Sequence, residues 1–221
     1  MTGRQGGAVA LRIPHESSAL VVVDMQNGFC HPQGTVGSTM SVEAHREIIP
    51  RVAELVAAAH AAGLPVVWSR QEHRRDDVSI NRSRLDNPQI RVGDPACLQG
   101  SWDAELIDEL VQLVDADDIV VVKRRASAFY GTSLEVELRM RAIRTLVFTG
   151  VSTSYCVDAS VRDAYARDLS VVLVEDACAS PWPDLHEATM KNTALFHGTV
   201  TVTNSVVAEL AVEPVDSARL A

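Results

Sequence analysis

The run Ala19-Leu-Val-Val-Val-Asp24 is apolar throughout and closes on a carboxylate. A run of that length with little alternation predicts a strand buried on both faces. From Val42 to Ala62 the period changes, with Ile48, Val52, Leu55, Val56 and Ala59 recurring at helical spacing. This predicts a helix that starts or kinks near Pro50 and stops at Gly63, with Pro65 just beyond. Pro65-Val-Val-Trp-Ser69 predicts a second strand. Residues 71–103 show no clear period, and polar loops of such length in compact domains are usually functional. Beyond the loop the two patterns take turns. Helices are predicted over 104–114 (capped by Asp103 or Ser101), 134–141, 154–167 and 184–196. Strands are predicted over 118–123, 145–149, 170–175 and 199–202, and Asn204 is expected to cap a last short helix, 205–211.

Strand and helix alternating in this way imply parallel strands joined by right-handed crossovers. The expected fold is α/β: one three-layer α/β/α domain on a six-stranded, mostly parallel, doubly wound sheet. Residues 1–16 read as a flexible N-terminal segment, 17–212 as the domain and 213–221 as a C-terminal tail. The turn after the first strand, Met25-Gln-Asn-Gly-Phe29, contains one glycine, and neither GxGxxG nor GxxxxGK[ST] occurs. Dinucleotide and P-loop readings are therefore rejected.

Composition narrows the function classes. A chain of 221 residues is long enough for one sizeable core. Its 20 Lys+Arg against 29 Asp+Glu leave a net charge of −9, which argues against nucleic acid and anionic membrane surfaces as partners. Cys30, Cys97, Cys156 and Cys178 show no CxxC spacing, so they read neither as a zinc site nor as a disulfide framework. The first residues lack the apolar core of a signal peptide. No apolar run approaches the roughly 18 to 20 residues of a membrane span. The expected compartment is the reducing cytoplasm.

Three chemistry-bearing residues share one kind of place. Asp24 ends the first strand, Lys123 ends the third, and Cys156 follows the fourth, in a helix starting near Thr153 beyond the break at Gly150. Ligands of open α/β sheets bind outside the carboxyl ends of the strands. If the first and fourth strands flank the topological switch point, the three side chains converge in one crevice. Singly, each has a plain explanation: Asp24 as a turn cap, Lys123 as a solvated strand end, Cys156 as a small core residue. Together they are harder to dismiss, because a charge after an all-apolar run destabilises unless it is paired or used. Unpaired N–H groups at a helix start would also favour a thiolate at Cys156.

The blocks Asp24-Met-Gln-Asn-Gly-Phe29 and Thr149-Gly-Val-Ser-Thr-Ser-Tyr-Cys-Val157, with Lys123 at its strand end, resemble the signatures of the isochorismatase-like cysteine hydrolases. The resemblance runs over about 17–205. It implies a six-stranded parallel sheet flanked by helices and a Cys–Asp–Lys triad. On that basis Cys156 is the nucleophile, Asp24 the general base and Lys123 the orienting cation. It also implies a cis peptide between Val151 and Ser152, aiming the N–H groups of Ser152 and Cys156 at an oxyanion. The implied activity is hydrolysis of a C–N bond in a small amide, ureido, carbamoyl or lactam substrate through a cysteine thioester. The alternatives are a vinyl-ether hydrolase of the isochorismate type, which needs no thiol, and a non-catalytic small-molecule-binding relative.

Within the family, nicotinamidases carry an Asp-x-His group and further histidines that bind a metal. The matching stretch here, Ser69-Arg-Gln-Glu-His-Arg-Arg-Asp-Asp77, holds His73 without that pattern, so no metal and no cofactor are expected. Gly100-Ser-Trp-Asp-Ala-Glu-Leu106 and Ser127-Ala-Phe-Tyr-Gly-Thr132 resemble the ureidoacrylate and carbamoyl amidohydrolase branch. By position, Gln26, Phe29, Gln71, Phe129, Tyr130, Tyr155 and Trp182 are candidates to line the substrate pocket. Arg70, Arg74 or Arg82 offers a bidentate grip on a substrate carboxylate. A homo-oligomer, dimer or tetramer, is expected from the resemblance.

Overall fold

Among the described residues six apolar segments form strands, and each strand runs in the same direction as its neighbours. They are β1 (Ser18–Val23), β2 (Val66–Gln71), β3 (Ile119–Lys123), β4 (Thr145–Val151), β5 (Ser170–Ala179) and β6 (Thr199–Thr201). All five pairings are parallel, in the order β3-β2-β1-β4-β5-β6. The order reverses between β1 and β4, which is where a doubly wound sheet opens its crevice. This computed structural model describes residues 11–74 and 96–212. The expected C-terminal tail, most of the N-terminal segment, and residues 75–95 of the long loop, Arg82 among them, lie outside the described residues.

Period-two alternation divides the strands between two cores. Leu20, Val22, Val66, Trp68, Val147 and Val172 face one core, covered by the helices Ile49–Ala61 and Thr203–Leu210. Ala19, Val21, Val67, Val121, Phe148 and Leu173 face the other, covered by the helices Leu134–Met140, Asp158–Tyr165 and Pro183–Asn192. All six residues of β1 are buried, which explains its lack of alternation. At about 1.5–3 kcal/mol for each fully buried Val or Leu side chain, this strand is the main apolar anchor of both layers. Among the described residues no helix is long and apolar enough to cross a membrane.

Four local expectations change. The helix expected over 42–62 is two, Glu43–Glu47 and Ile49–Ala61, with Pro50 in the first turn of the second, where its missing N–H costs nothing. Helical spacing over 104–114 yields only Asp108–Val111 and the short 3₁₀ turn Trp102–Ala104, because Leu106 is pulled extended by a bridge to Gln26. Neither Ser101 nor Asp103 caps by side chain: Ser101 Oγ donates to Leu98 O, and Asp103 accepts from the N–H groups of Thr35 and Cys97. The last helix begins at Thr203, so Asn204 is inside it; the Asp176 carboxylate accepts from both the N–H and the hydroxyl of Thr203.

Gly150 shows how closely the switch-point strands approach. It pairs with Val23 at φ +108, and a Cβ there would stand 2.2 Å from the Val23 carbonyl oxygen. Both the dihedral and the space require glycine at this point.

Candidate active site

At the end of β1 the chain leaves the sheet through a residue in the left-handed region, Asp24, with φ 51. Aspartate tolerates that region better than most residues, and the conformation costs of order 1 kcal/mol. The turn is held by Asp24 N–H donating to Ser69 O at 2.9 Å and Gln26 N–H donating to Asp24 O at 2.8 Å. Asp24 is 1% exposed, and Ser69 O–H donates to its Oδ1 at 3.2 Å.

Lys123 is the last residue of β3, on the same face as Ile119 and Val121, and its side chain is fully buried. Its ammonium lies 2.7 Å from Asp24 Oδ2. It also donates to Gln71 Oε1 at 2.6 Å, Arg125 O at 3.2 Å and Cys156 Sγ at 3.4 Å. A buried ammonium is tolerated only with such complete pairing. β2 lies between β3 and β1, so Lys123 reaches Asp24 across the ends of Ser69 and Gln71.

Cys156 arrives from the other side of the switch point. After β4 the Val151–Ser152 peptide is cis, and Thr153–Val157 makes a wide π-type turn. Its marker is the Val157 N–H donating five residues back to Ser152 O at 3.2 Å. Ser152 therefore precedes the turn and Cys156 lies near its end. Cys156 is 5% exposed.

Burial sets the protonation chemistry. It pushes the Cys156 thiol up to about 12, with Lys123 pulling it down and Asp24 adding to the rise. The pull of the helix-start N–H groups toward a thiolate is outweighed by desolvation, and the thiol keeps its proton until a base takes it. Burial also raises the Asp24 carboxyl above its usual 3.8, while Lys123, Cys156 and Ser69 pull the other way. For Lys123 burial acts downward, but Asp24 and Cys156 outweigh it and the ammonium is held above its usual 10.5. Lys123, Ser69 and the thiol all present protons to the Asp24 carboxyl and favour its ionised form, while burial raises its readiness to take a proton. The resting arrangement is a neutral thiol beside a paired carboxylate, poised for a proton to move when an electrophile arrives.

The pocket candidates divide sharply. Gln26 is fully buried, and its amide is committed: Nε2 donates to Gln71 O and Ala104 O, and Oε1 accepts from Gln71 N–H. It braces β2 and is a structural strut. Gln71 holds the Lys123 ammonium with Oε1, and its Nε2 lies 2.8 Å from His73 Nε2. Phe29 is half-buried against the first core, and Phe129 is buried in the second beneath the Arg167 guanidinium. Tyr130, Tyr155 and Trp182 are exposed. Arg70 donates to Glu72 and to Ala104 O. The described surface cavities of about 460 Å³ by Ala58 and Val207 and about 540 Å³ by Met40 and Arg46 lie away from Cys156. Among the described residues no group of three or more His, Cys, Asp or Glu side chains could hold a metal ion.

Ser69 is the site residue that sequence reasoning missed. Its signal was a single hydroxyl closing the apolar run Pro65–Ser69, at the strand position paired with Val23. The carbonyl of Arg125 was beyond reach, since any loop residue offers one.

Comparison with known proteins places this geometry. The sequence profile described as "Isochorismatase domain" matches residues 18–205. The ureidoacrylate amidohydrolase RutB of Acinetobacter baylyi is 33% identical over 211 residues, covering 90% of this chain and 85% of that protein. A cysteine hydrolase from Pseudomonas syringae pv. phaseolicola superposes with a TM-score of 0.81 at 28% identity, covering 93% of this chain and 98% of the other. The N-carbamoylsarcosine amidase of Thermoplasma acidophilum superposes with a TM-score of 0.68 at 29% identity, covering 85% and 97%.

Proposed function

The chain belongs to the isochorismatase domain family, and from that premise we propose that it hydrolyses small ureido, carbamoyl or amide substrates through a cysteine thioester. It is a hydrolase of carbon–nitrogen bonds other than peptide bonds, as are its amidohydrolase relatives. The observation that carries the thioester reading is one ammonium touching both other groups: Lys123 Nζ is 2.7 Å from Asp24 and 3.4 Å from Cys156 Sγ.

Amide carbon is a poor electrophile, and a covalent intermediate divides its hydrolysis into two easier steps. Asp24 takes the thiol proton as Sγ bonds to the carbonyl carbon. The carbonyl oxygen becomes an oxyanion, received by the N–H groups of Ser152 and Cys156; each such donor is worth roughly 10²–10³ in rate. The C–N bond then breaks, and the proton on Asp24 passes to the departing nitrogen. A water molecule gives its proton to Asp24 and attacks the thioester, and Cys156 recovers its proton from Asp24. Lys123 stays charged throughout and fixes both partners. Because the thiol starts protonated, nucleophile and base act as one unit: without Asp24 at hand, little thiolate exists at neutral pH.

The test is ammonia release from a panel of ureido acids, N-carbamoyl amino acids and primary amides. Wild type should turn over at least one class, and Cys156→Ala should be inactive while retaining the wild-type circular dichroism spectrum. Turnover by folded Cys156→Ala would overturn the thioester reading. Pyruvate release from isochorismate by the same variant would point to vinyl-ether cleavage, which needs no thiol.

A further inference from the structure

Two hydrogen bonds of the stretch from Lys123 to Phe129 reach different members of the site. Near its start, Lys123 Nζ donates to Arg125 O at 3.2 Å. Farther on, Ala128 N–H donates to Ser160 Oγ at 2.9 Å, and Ser160 O–H donates to the Cys156 carbonyl at 2.7 Å. Ser160 is 0% exposed, inside the helix Asp158–Tyr165. A backbone N–H can only donate, so the hydroxyl proton is left for the Cys156 carbonyl and the direction of the relay follows from chemistry alone.

Serine hydroxyls often bond the carbonyl four residues back in a helix. Two things set this one apart. The carbonyl belongs to the residue carrying the thiol, in the turn where the regular helical ladder is interrupted. The lone pair of the same hydroxyl is taken by the loop that the lysine grips. Resting on the reading above, we infer that Ser160 is a positioning residue that sets where the Cys156 thiol stands relative to Lys123 and Asp24. It does so by tying the peptide of Cys156 to the 124–129 loop, which also accepts a bond from Lys123 itself. Losing the tie frees the nucleophile turn to drift, and misplacing a reacting group by an ångström can cost as much as about 10² in rate.

The experiment compares wild type, Ser160→Ala and Ser160→Thr, since threonine can keep the bond to the carbonyl four residues back. Three quantities are read: steady-state rates, melting temperature, and the rate of iodoacetamide alkylation at Cys156 mapped by mass spectrometry. Ser160→Ala should lower kcat about tenfold with KM within about twofold, and alkylation should slow by a similar factor. Ser160→Thr should recover most of both. The inference is overturned if folded Ser160→Ala keeps wild-type kcat and alkylation rate while only its melting temperature falls, which is the mark of a purely structural hydroxyl. It is equally overturned if folded Ser160→Thr is as impaired as the alanine variant. Alkylation needs no substrate, so a wild type inactive on every amide and ureido compound, with alkylation still slowed in Ser160→Ala and restored in Ser160→Thr, would sink the activity reading and leave the positioning role standing.

Discussion

Two buried carboxylates stand at opposite ends of the same sheet. Asp118, just before β3, accepts from the indole N–H of Trp68 at 2.8 Å and from the N–H of Asp115 at 2.9 Å, with His60 Nε2 at 2.9 Å. Asp24, just after β1, meets the ammonium of Lys123, the hydroxyl of Ser69 and the neighbouring thiol. Their side chains are alike in exposure, at 3% and 1%, although the residue Asp118 is only half-buried. The partners differ. Asp118 is surrounded by rigid donors, two of which never give up their protons, so it locks a helix, β2 and the start of β3 together. Asp24 borders a thiol that can lose its proton, so the same side chain can act as a base. What separates anchor from chemistry is the thiol opposite Asp24, a nucleophile once its proton leaves, and side-chain burial by itself does not distinguish the two carboxylates.

The comparison breaks if activity does not follow Asp24. Asp24→Asn should lower kcat by about 10²–10⁴-fold with fold retained, read by steady-state kinetics and circular dichroism. Lys123→Met should be similarly impaired and lose about 3–5 kcal/mol in denaturant unfolding, since an unpaired buried charge remains. Asp24→Asn combined with Lys123→Met should regain part of that stability and none of the rate, separating pairing from catalysis.

An intermediate effect is expected with pH. Burial raises Asp24 above 3.8, and the base must be ionised to work. The acid limb of kcat/KM should therefore lie above the ordinary carboxylate range, and the thiol should impose no alkaline limb below about 12. A folded-state pKa above the unfolded one means that Asp24's contribution to stability is lost as pH rises from 3.8 through the raised value. Lys123, held above 10.5, contributes stability that is full below 10.5 and lost as pH climbs through its raised value. A kcat/KM profile whose acid limb falls at or below 3.8 would remove Asp24 as the base.

The smallest effect on activity belongs to the other carboxylate. Asp118→Asn should change kcat by less than about twofold while costing about 1–3 kcal/mol of stability, because the lost charge weakens bonds to Trp68 and His60. A large loss of kcat in a folded Asp118→Asn variant would erase the distinction between the two ends.

The strands were legible because burial on both faces leaves an unmistakable record, as in the apolar run Ala19–Val23. Asp24 and Lys123 were legible for a related reason: each breaks an apolar pattern at the carboxyl end of a strand, while Cys156 stood out as a thiol in the turn that follows β4. Helix limits were less so. Leu106 shows why, since its helical spacing yields to a bridge with Gln26 contributed from 80 residues earlier in the chain. Asn204 looked like a cap, and Asp176 took the role from β5 because β6 pairs beside that strand, Val174 opposite Thr201, which brings Asp176 level with Thr203. Gln26 was placed correctly after its strand, whereas Gln71, expected to open the loop, is the last residue of β2; for neither could pattern tell a residue facing substrate from one whose amide is consumed by its neighbours.

By itself, the sequence determined the alternation of strand and helix, hence the layered α/β architecture, and the two strand ends, at Asp24 and Lys123, where a charge interrupts an apolar run. These follow from local periodicity and from the cost of leaving a charge beside buried residues. Tertiary structure alone decided the strand order that lets Lys123 reach across β2 to Asp24 while Cys156 enters from β4. It also decided the protonation of the thiol, because desolvation is a property of everything packed around a group, and no window of sequence contains that surrounding.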